Sequence, residues 1–282
     1  VQPNFKIPSY TITEEEFSQL SRLIYQKIGI FLPPTKMPLM TVRLQKILTS
    51  LGLASFSEYY NYLLNDKSGQ ALSLLATKIS TNYTYFYREE AHFQYFKDEV
   101  LPFLAQKQKQ KGELRLRIWT AGCSTGEEPY MLAMLLKEYF GAEYPRWDAG
   151  VLATDISADV LEIAQQAIYP KDSIERVPPQ IRHKYFTKYD DESVQIIDEI
   201  RKDVTLRRYN LMNLNPPFKL PFQVIFCRNV MIYFDPPTRS GLISRFVNLL
   251  EPGGYLFIGH SESIDRNITG IKPLIPAVYQ KV

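Results

Sequence analysis

Leu114–Tyr130 reads LRLRIWTAGCSTGEEPY, and the fold follows from this stretch. Its first half alternates apolar and charged residues and then turns wholly apolar, as a strand entering a sheet core does. Gly122–Gly126 is a tight loop whose glycines let a ligand approach the backbone with no Cβ in the way. Glu127, Glu128 and Pro129 then open a helix to about Phe140, with acids and a proline in the first turn where they are favoured. Strand, glycine turn and helix form the first unit of a nucleotide-binding α/β domain. The loop is G-x-x-x-G, not G-x-G-x-x-G, and it lacks the lysine of a P-loop. Carboxylates at the helix mouth repel a polyphosphate, so a cationic or neutral nucleoside such as S-adenosylmethionine fits better. Glycines at such a turn also serve packing alone.

Downstream, Ala149–Asp155 reads as a second strand ending in an acid. A carboxylate at that tip grips both hydroxyls of a ribose; Asp155 would otherwise be the N-cap of a helix over Ala158–Ala167. Val194–Asp198 and Val204–Arg208 are expected as short antiparallel strands of a small β insertion. Phe222–Asn229 is a buried strand with polar residues at its carboxyl end. Ligands of open α/β sheets sit at such ends, which aims Arg228 and Asn229 at the crevice of Gly122 and Asp155. Tyr233 follows closely. A helix from Pro236 to Leu250, a turn at Glu251–Gly254, a strand over Tyr255–Gly259 and a last strand over Ala277–Val282 complete the alternation.

Upstream, Thr13 with Glu14–Glu16 is a capping signal for a helix that Gly29 ends. Further helices are expected over about Leu39–Leu51, from Ser55 or Ser57 to Leu64, and over Gln70–Ile79, a small all-helical module. Lys36, Arg43 and Lys46 of the second helix have no neighbouring acid, as on a solvated face or a docking face for an acidic partner. Lys and Arg outnumber Asp and Glu by 8 to 5 in residues 1–80 and match them, 25 to 25, in the rest. Ser80–Glu89 is dense in aromatics, which line a groove or staple the two parts together. A helix over Ala91–Ala105 and a solvated Lys/Gln connector at 106–111 follow.

At 282 residues the chain has ample length for a sizeable core. It has no apolar run long enough for a membrane span. The first residues show no signal-peptide pattern, and with the initiator Met absent residue 1 is not expected to be the natural start. Cys123 and Cys227 are too few for a disulfide framework, so buried thiols and a cytoplasmic location are expected. His92 and His183 are isolated in sequence, and no metal site is expected. His260-Ser261-Glu262 contains the residue types of a hydrolase triad, but no G-x-S-x-G elbow exists.

Five motifs now stand in order: Asn82-Tyr-Thr84 with Phe86 and Arg88-Glu89; Gly126–Tyr130; Thr154–Ile156; Phe226–Phe234; and Gly259–Glu262. Together they resemble the chemotaxis-receptor glutamate methyltransferases, the CheR family, over essentially the whole chain. The resemblance implies a class I (Rossmann-like) S-adenosylmethionine methyltransferase sheet with a small antiparallel β insertion and an N-terminal all-helical domain. It divides the chain into a receptor-docking domain, residues 1–80, and a linker and helix, 81–112, that contribute to the cofactor site. The methyltransferase domain follows, 113–282, with its β subdomain at about 185–209. It implies transfer of a methyl group from S-adenosylmethionine to glutamate side chains on the cytoplasmic helices of chemotaxis receptors, leaving S-adenosylhomocysteine.

By motif, cofactor contacts fall on Asn82, Thr84, Arg88, Gly122, Glu128, Asp155, Asn210, Leu211, Arg228 and Asn229, with Glu128 preferred over Glu127. Arg88 and Tyr233 are the catalytic candidates, and Lys36, Arg43 and Lys46 match the receptor-docking surface. Members that grip a tethering peptide carry a longer, glycine-containing turn in the β subdomain. Tyr189–Ser193 is shorter and acidic, which argues against tethering here. A glutamate is already a carboxylate at neutral pH, so positioning carries most of the acceleration. Three other readings stand beside this one: a methyltransferase for RNA or a small molecule, a sensor of the cofactor without transfer, and a phosphoryl-nucleotide site. The neutral α/β part argues against nucleic acid.

Overall fold

The computed structural model describes residues 10–265 and 267–282, so the stretch judged to lack a signal-peptide pattern lies mostly outside the described residues. The chain divides into two compact units, Val1–Thr81 and Asn82–Val282.

Among its described residues the first unit holds four α-helices: α1 (Glu14–Ile28), α2 (Met37–Leu51), α3 (Phe56–Asn65) and α4 (Gln70–Ile79). Thr13 and Glu16 form a reciprocal capping box at the start of α1, which satisfies two backbone N–H groups that a helix leaves open. Ser55, rather than Ser57, caps α3. Leu20, Ile24, Leu44, Leu48, Tyr59 and Leu75 fill the core. Arg43 reaches from α2 to the end of α4, donating to the carbonyls of Ile79 and Ser80 and to Thr81 Oγ1. Its guanidinium satisfies carbonyls that the helix leaves open, at the end where the dipole favours a cation. Lys36 and Lys46 remain exposed.

In the second unit a helix carries the chain into the sheet: α5 (Glu90–Tyr95), a π turn over Phe96–Val100, and α6 (Leu101–Gln110). The π turn precedes Pro102, which lacks an N–H and would clash with the carbonyl four residues back in a regular helix. The Lys/Gln tract expected as a solvated connector is instead the last part of α6. Gln108 is fully buried and donates to Glu251, which also accepts from Gln223 and pairs with Lys107. These partners for the Glu251 carboxylate lie far away in sequence, which is why a polar tract concealed them.

The main sheet is built from β1 (Arg115–Ala121), β2 (Asp148–Asp155), β6 (Val204–Arg208), β7 (Phe222–Cys227), β8 (Leu250–Ile258), β9 (Ile271–Ile275) and β10 (Val278–Lys281). Their order is β6-β2-β1-β7-β8-β10-β9. The first five run parallel and β10 and β9 antiparallel. The helices α7 (Glu127–Phe140), α8 (Ala158–Gln166) and α11 (Pro236–Leu249) connect strands. Every residue of β7 is buried, the signature of a parallel strand covered on both faces. The Phe226 and Phe257 rings stack at 4.2 Å across neighbouring strands.

The β insertion differs from the expectation. A three-stranded antiparallel sheet forms from β3 (Ile168–Pro170), β5 (Ser193–Ile196) and β4 (Phe186–Lys188), with α9 (Pro179–Tyr185) between its first two strands in sequence. Val204–Arg208 does not belong to it. After the short helix α10 (Asp198–Lys202), this strand runs parallel to β2 at the edge of the main sheet. The insertion therefore spans about 168–196 rather than 185–209. An edge strand is half-exposed and alternates like a hairpin strand, so periodicity did not distinguish the two. Glu251–Gly254, expected as a turn, lies within β8, and β9 went unanticipated because its Lys272-Pro273 breaks the apolar pattern.

Candidate functional site

The chain visits β1, β2 and β6 on one side and then crosses to β7 and β8 on the other. The order thus reverses between β1 and β7, and their carboxyl ends frame a crevice where α/β sheets take ligands. The glycine loop leaves β1, Asp155 ends β2, and Arg228 and Asn229 follow β7.

The loop is built without side-chain room. Gly122 has φ +88°, and a Cβ there would lie 2.4 Å from Val230 Cγ2. Its N–H donates to the Thr154 carbonyl at 2.8 Å, as does that of Cys123 at 2.9 Å. Asp155 accepts the Ser124 N–H on one oxygen and the Ser157 N–H on the other, 2.9 and 3.0 Å away. The helix N-cap role falls to Ser157, which accepts from Val160 N–H. A carboxylate has about four lone-pair sites, so Asp155 keeps capacity for a diol. Asn82 borders the same loop, its carbonyl accepting from Ser124 Oγ at 3.2 Å. Asn210 forms an Asx turn onto Met212 N–H, and the Leu211 carbonyl is held by Arg245.

Arg228 is the electrostatic centre. It is 7% exposed and lies between two carboxylates, with Glu89 Oε2 3.3 Å from Nε and Glu128 Oε2 3.2 Å from Nη1. Its Nη2 donates to the Arg88 carbonyl. Among the described residues Nε and Nη1 make no hydrogen bond of good geometry, so these buried donors are under-satisfied. Glu89 collects further groups: His92 Nδ1 at 3.3 Å, Asn229 Nδ2 at 3.3 Å and His260 N–H at 3.3 Å. Burial alone would raise its pKa, but His92, Arg228 and these donors hold it at about 2.

Glu262 performs a parallel task, accepting N–H groups from Gly259, Asn229 and Ile232. It fixes the turn carrying Asn229, at φ +58°, and Tyr233. Thus Glu262 is a backbone clamp and no member of a triad. Sequence reading gave Glu89, His92 and Glu262 no role, although Glu89 and Glu262 lie inside motifs. His92 is not isolated: its ring meets that of His260 at 4.5 Å. Ligand atoms of Glu89, His92 and His260 come within 4.8 Å of one another, but the cation already beside Glu89 is the Arg228 guanidinium.

Arg88 donates to the Tyr83 carbonyl at 2.6 Å and lies over the Tyr83 ring. Tyr233 closes a short 3₁₀ turn, Met231–Tyr233. Burial pushes up the carboxyl pKa values of Glu127, Glu128, Asp155 and Glu262. Their charged forms are penalised, and a bound cation relieves that penalty where added phosphates would deepen it. Glu127 itself is engaged by the Thr125 hydroxyl, whereas Glu128 faces Arg228.

Residues 82–277 match the family described as CheR methyltransferase, SAM binding domain, and residues 15–80 match CheR methyltransferase, all-alpha domain. The chain belongs to the CheR methyltransferase family. The chemotaxis protein methyltransferase of Borreliella burgdorferi is 42% identical over 96% of this chain and 95% of that protein. Chemotaxis protein methyltransferase 2 of Pseudomonas aeruginosa is 37% identical over 99% and 96%, respectively. The Escherichia coli chemotaxis protein methyltransferase is 37% identical over 90% and 86%. The cofactor of this CheR domain is S-adenosylmethionine. The residues fit it: under-satisfied Arg228 donors, a loop closed to any Cβ at Gly122, and buried carboxyls suited to a sulfonium. No helix among the described residues is long and apolar enough to cross a membrane.

Glu128 gives this CheR site a pH dependence. Burial outweighs Arg228 and lifts its pKa from the ordinary 4.5 to about 6. The folded state therefore holds this proton more tightly than the unfolded state, and stability falls as pH rises from about 4.5 through 6. Relative to Glu128→Gln, the unaltered protein without ligand is expected to lose about 2 kcal/mol across that window. Urea unfolding of both proteins at pH 4.5 and 8 checks this.

Proposed function

We propose that this protein esterifies glutamate side chains on the cytoplasmic helices of chemotaxis receptors, working in the cytoplasm. The observation that carries the reading is the crevice at the β1–β7 reversal, where a cation-tolerant pocket of buried carboxyls adjoins Arg88. Its relatives are chemotaxis protein methyltransferases, and that name together with the chemistry of the site supports this acceptor class.

When bound, S-adenosylmethionine supplies a methyl group on a positively charged sulfur. The chain's residues then position rather than activate. Asp155 takes the ribose hydroxyls, and the loop from Gly122 admits the cofactor against bare backbone. Asn82, Thr84, Glu128, Asn210, Leu211, Arg228 and Asn229 complete the contacts. Arg88 presents a planar fork that matches a carboxylate bidentately, and so aligns the acceptor glutamate. The Tyr233 hydroxyl steadies the region of transfer. No general base is required, because the attacking carboxylate is already ionised at neutral pH. Lys36 and Lys46 offer cations to the acidic receptor. Arg43 supports the docking helix chiefly by tying α2 to α4.

Asp155→Ala is expected to weaken S-adenosylhomocysteine binding about 30-fold, the size of a lost charge-assisted hydrogen bond to the ribose. Calorimetric titration checks this. The reading as a whole is tested by methyl transfer to receptor cytoplasmic fragments. Replacing the accepting glutamates by glutamine should abolish incorporation, whereas equal incorporation into both fragments contradicts a glutamate acceptor.

A further inference from the structure

Tyr83, Tyr85, Arg88 and Arg176 form a continuous surface chain. Arg88 lies 5.9 Å from the Tyr83 ring centroid, Tyr83 and Tyr85 lie 5.7 Å apart, and Arg176 lies 4.8 Å over Tyr85. Tyr83 is 68% exposed, and Arg176 is exposed as well. Neither Arg88 nor Arg176 forms an ion pair among the described residues. The chain is held in place from beneath. Phe86 is fully buried and packs edge-on against Tyr169 of β3 and Phe186 of β4, at 4.8 and 5.4 Å. Asn82 is fastened to the glycine loop.

We propose that this Arg–Tyr–Tyr–Arg rim is a docking surface for an acidic segment of the methyl-accepting protein. Arg176 takes a second carboxylate of that segment while Arg88 takes the one to be methylated. The proposal rests on the glutamate-acceptor reading above and adds a specificity-determining residue to it. Two guanidiniums without an ion pair among the described residues, joined by the exposed Tyr83 ring and the partly exposed Tyr85 ring, complement an acidic, partly apolar strip. A guanidinium already laid over a ring loses less rotamer freedom on meeting a carboxylate than a free one does. The rings supply apolar contact with little conformational entropy to lose. Among the described residues Arg176 forms no hydrogen bond or ion pair with the glycine loop, Asp155 or Arg228 and lies over the Tyr85 ring, so its effect falls on the acceptor and not on the cofactor.

The test is steady-state methyl transfer from S-adenosylmethionine to a receptor cytoplasmic fragment, run beside calorimetry with S-adenosylhomocysteine. Arg176→Ala should raise the KM for the fragment about fivefold, with kcat and product affinity within about twofold of the unaltered protein. Arg176→Lys, which keeps the charge but not the planar stack, should fall between. Raised salt should weaken the unaltered protein more than Arg176→Ala. An unchanged KM and salt response in Arg176→Ala overturns the rim, and so does a matching loss of product affinity, which would place Arg176 in the cofactor site. Absence of transfer by an unaltered protein that still binds S-adenosylhomocysteine overturns the acceptor class, and the rim with it.

Discussion

Replacing Arg228 by Met is expected to destabilise the protein by about 3–5 kcal/mol and to remove measurable S-adenosylhomocysteine binding. The guanidinium separates the Glu89 and Glu128 carboxylates, at 3.3 and 3.2 Å, and all three groups are largely withdrawn from water. Taking away one partner of a buried pair leaves an uncompensated charge, which costs more than the pair contributes. Here it leaves two of like sign. The loss depends on pH. In the unaltered protein Glu89 titrates near 2, so its contribution is complete above its ordinary value of 4.5 and lost as pH falls towards 2. Without Arg228 both carboxyls are driven towards protonation, and the variant should lose stability as pH rises. Urea unfolding should show a larger deficit at pH 8 than at pH 5. The same deficit at both values would contradict the assignment of Arg228 as the charge centre.

Arg88→Ala should lower the turnover of methyl transfer by about 100-fold or more, because misplacing a reactant by about 1 Å costs on the order of 100-fold in rate. The Arg88 side chain is held by the Tyr83 carbonyl and ring, on a segment that precedes the first strand of the sheet. Folding should therefore survive, and thermal unfolding should confirm it. Tyr233→Phe removes one hydroxyl and keeps the ring, so a loss of only about tenfold is expected, the scale of one hydrogen bond. Single-turnover rates at saturating acceptor separate chemistry from binding. Rates close to those of the unaltered protein in both variants would remove both residues from the mechanism.

The parallel strands were legible because burial on both faces writes continuous apolar runs such as Phe222–Cys227, and their polar ends pointed to the crevice. The glycine loop was legible because its residues are contiguous, and Asp155 because it ends an apolar strand one strand–helix unit later. Arg228 was found as a strand-end residue, but its two carboxylate partners lie about 100 residues or more away, so its place between them required the fold. Glu89 and Glu262 were unread for the same reason, since their work is done on backbone and side chains brought from other strands. Val204–Arg208 misled because an edge strand and a hairpin strand share one alternation. The Lys/Gln tract at 106–111 misled because Gln108 is buried only by virtue of Glu251. The link of Arg43 to the end of α4 was not legible, because it depends on two helices meeting.

The most direct test of glutamate esterification is the chemistry of the label left on the acceptor. A receptor cytoplasmic fragment is incubated with this protein and S-adenosylmethionine labelled in the methyl group, then exposed to mild base. A glutamate methyl ester releases its label as volatile methanol, and the account predicts that nearly all incorporated label does so. Label that stays on the fragment through base treatment would mean transfer to nitrogen or another atom, and would contradict a glutamate ester as the product.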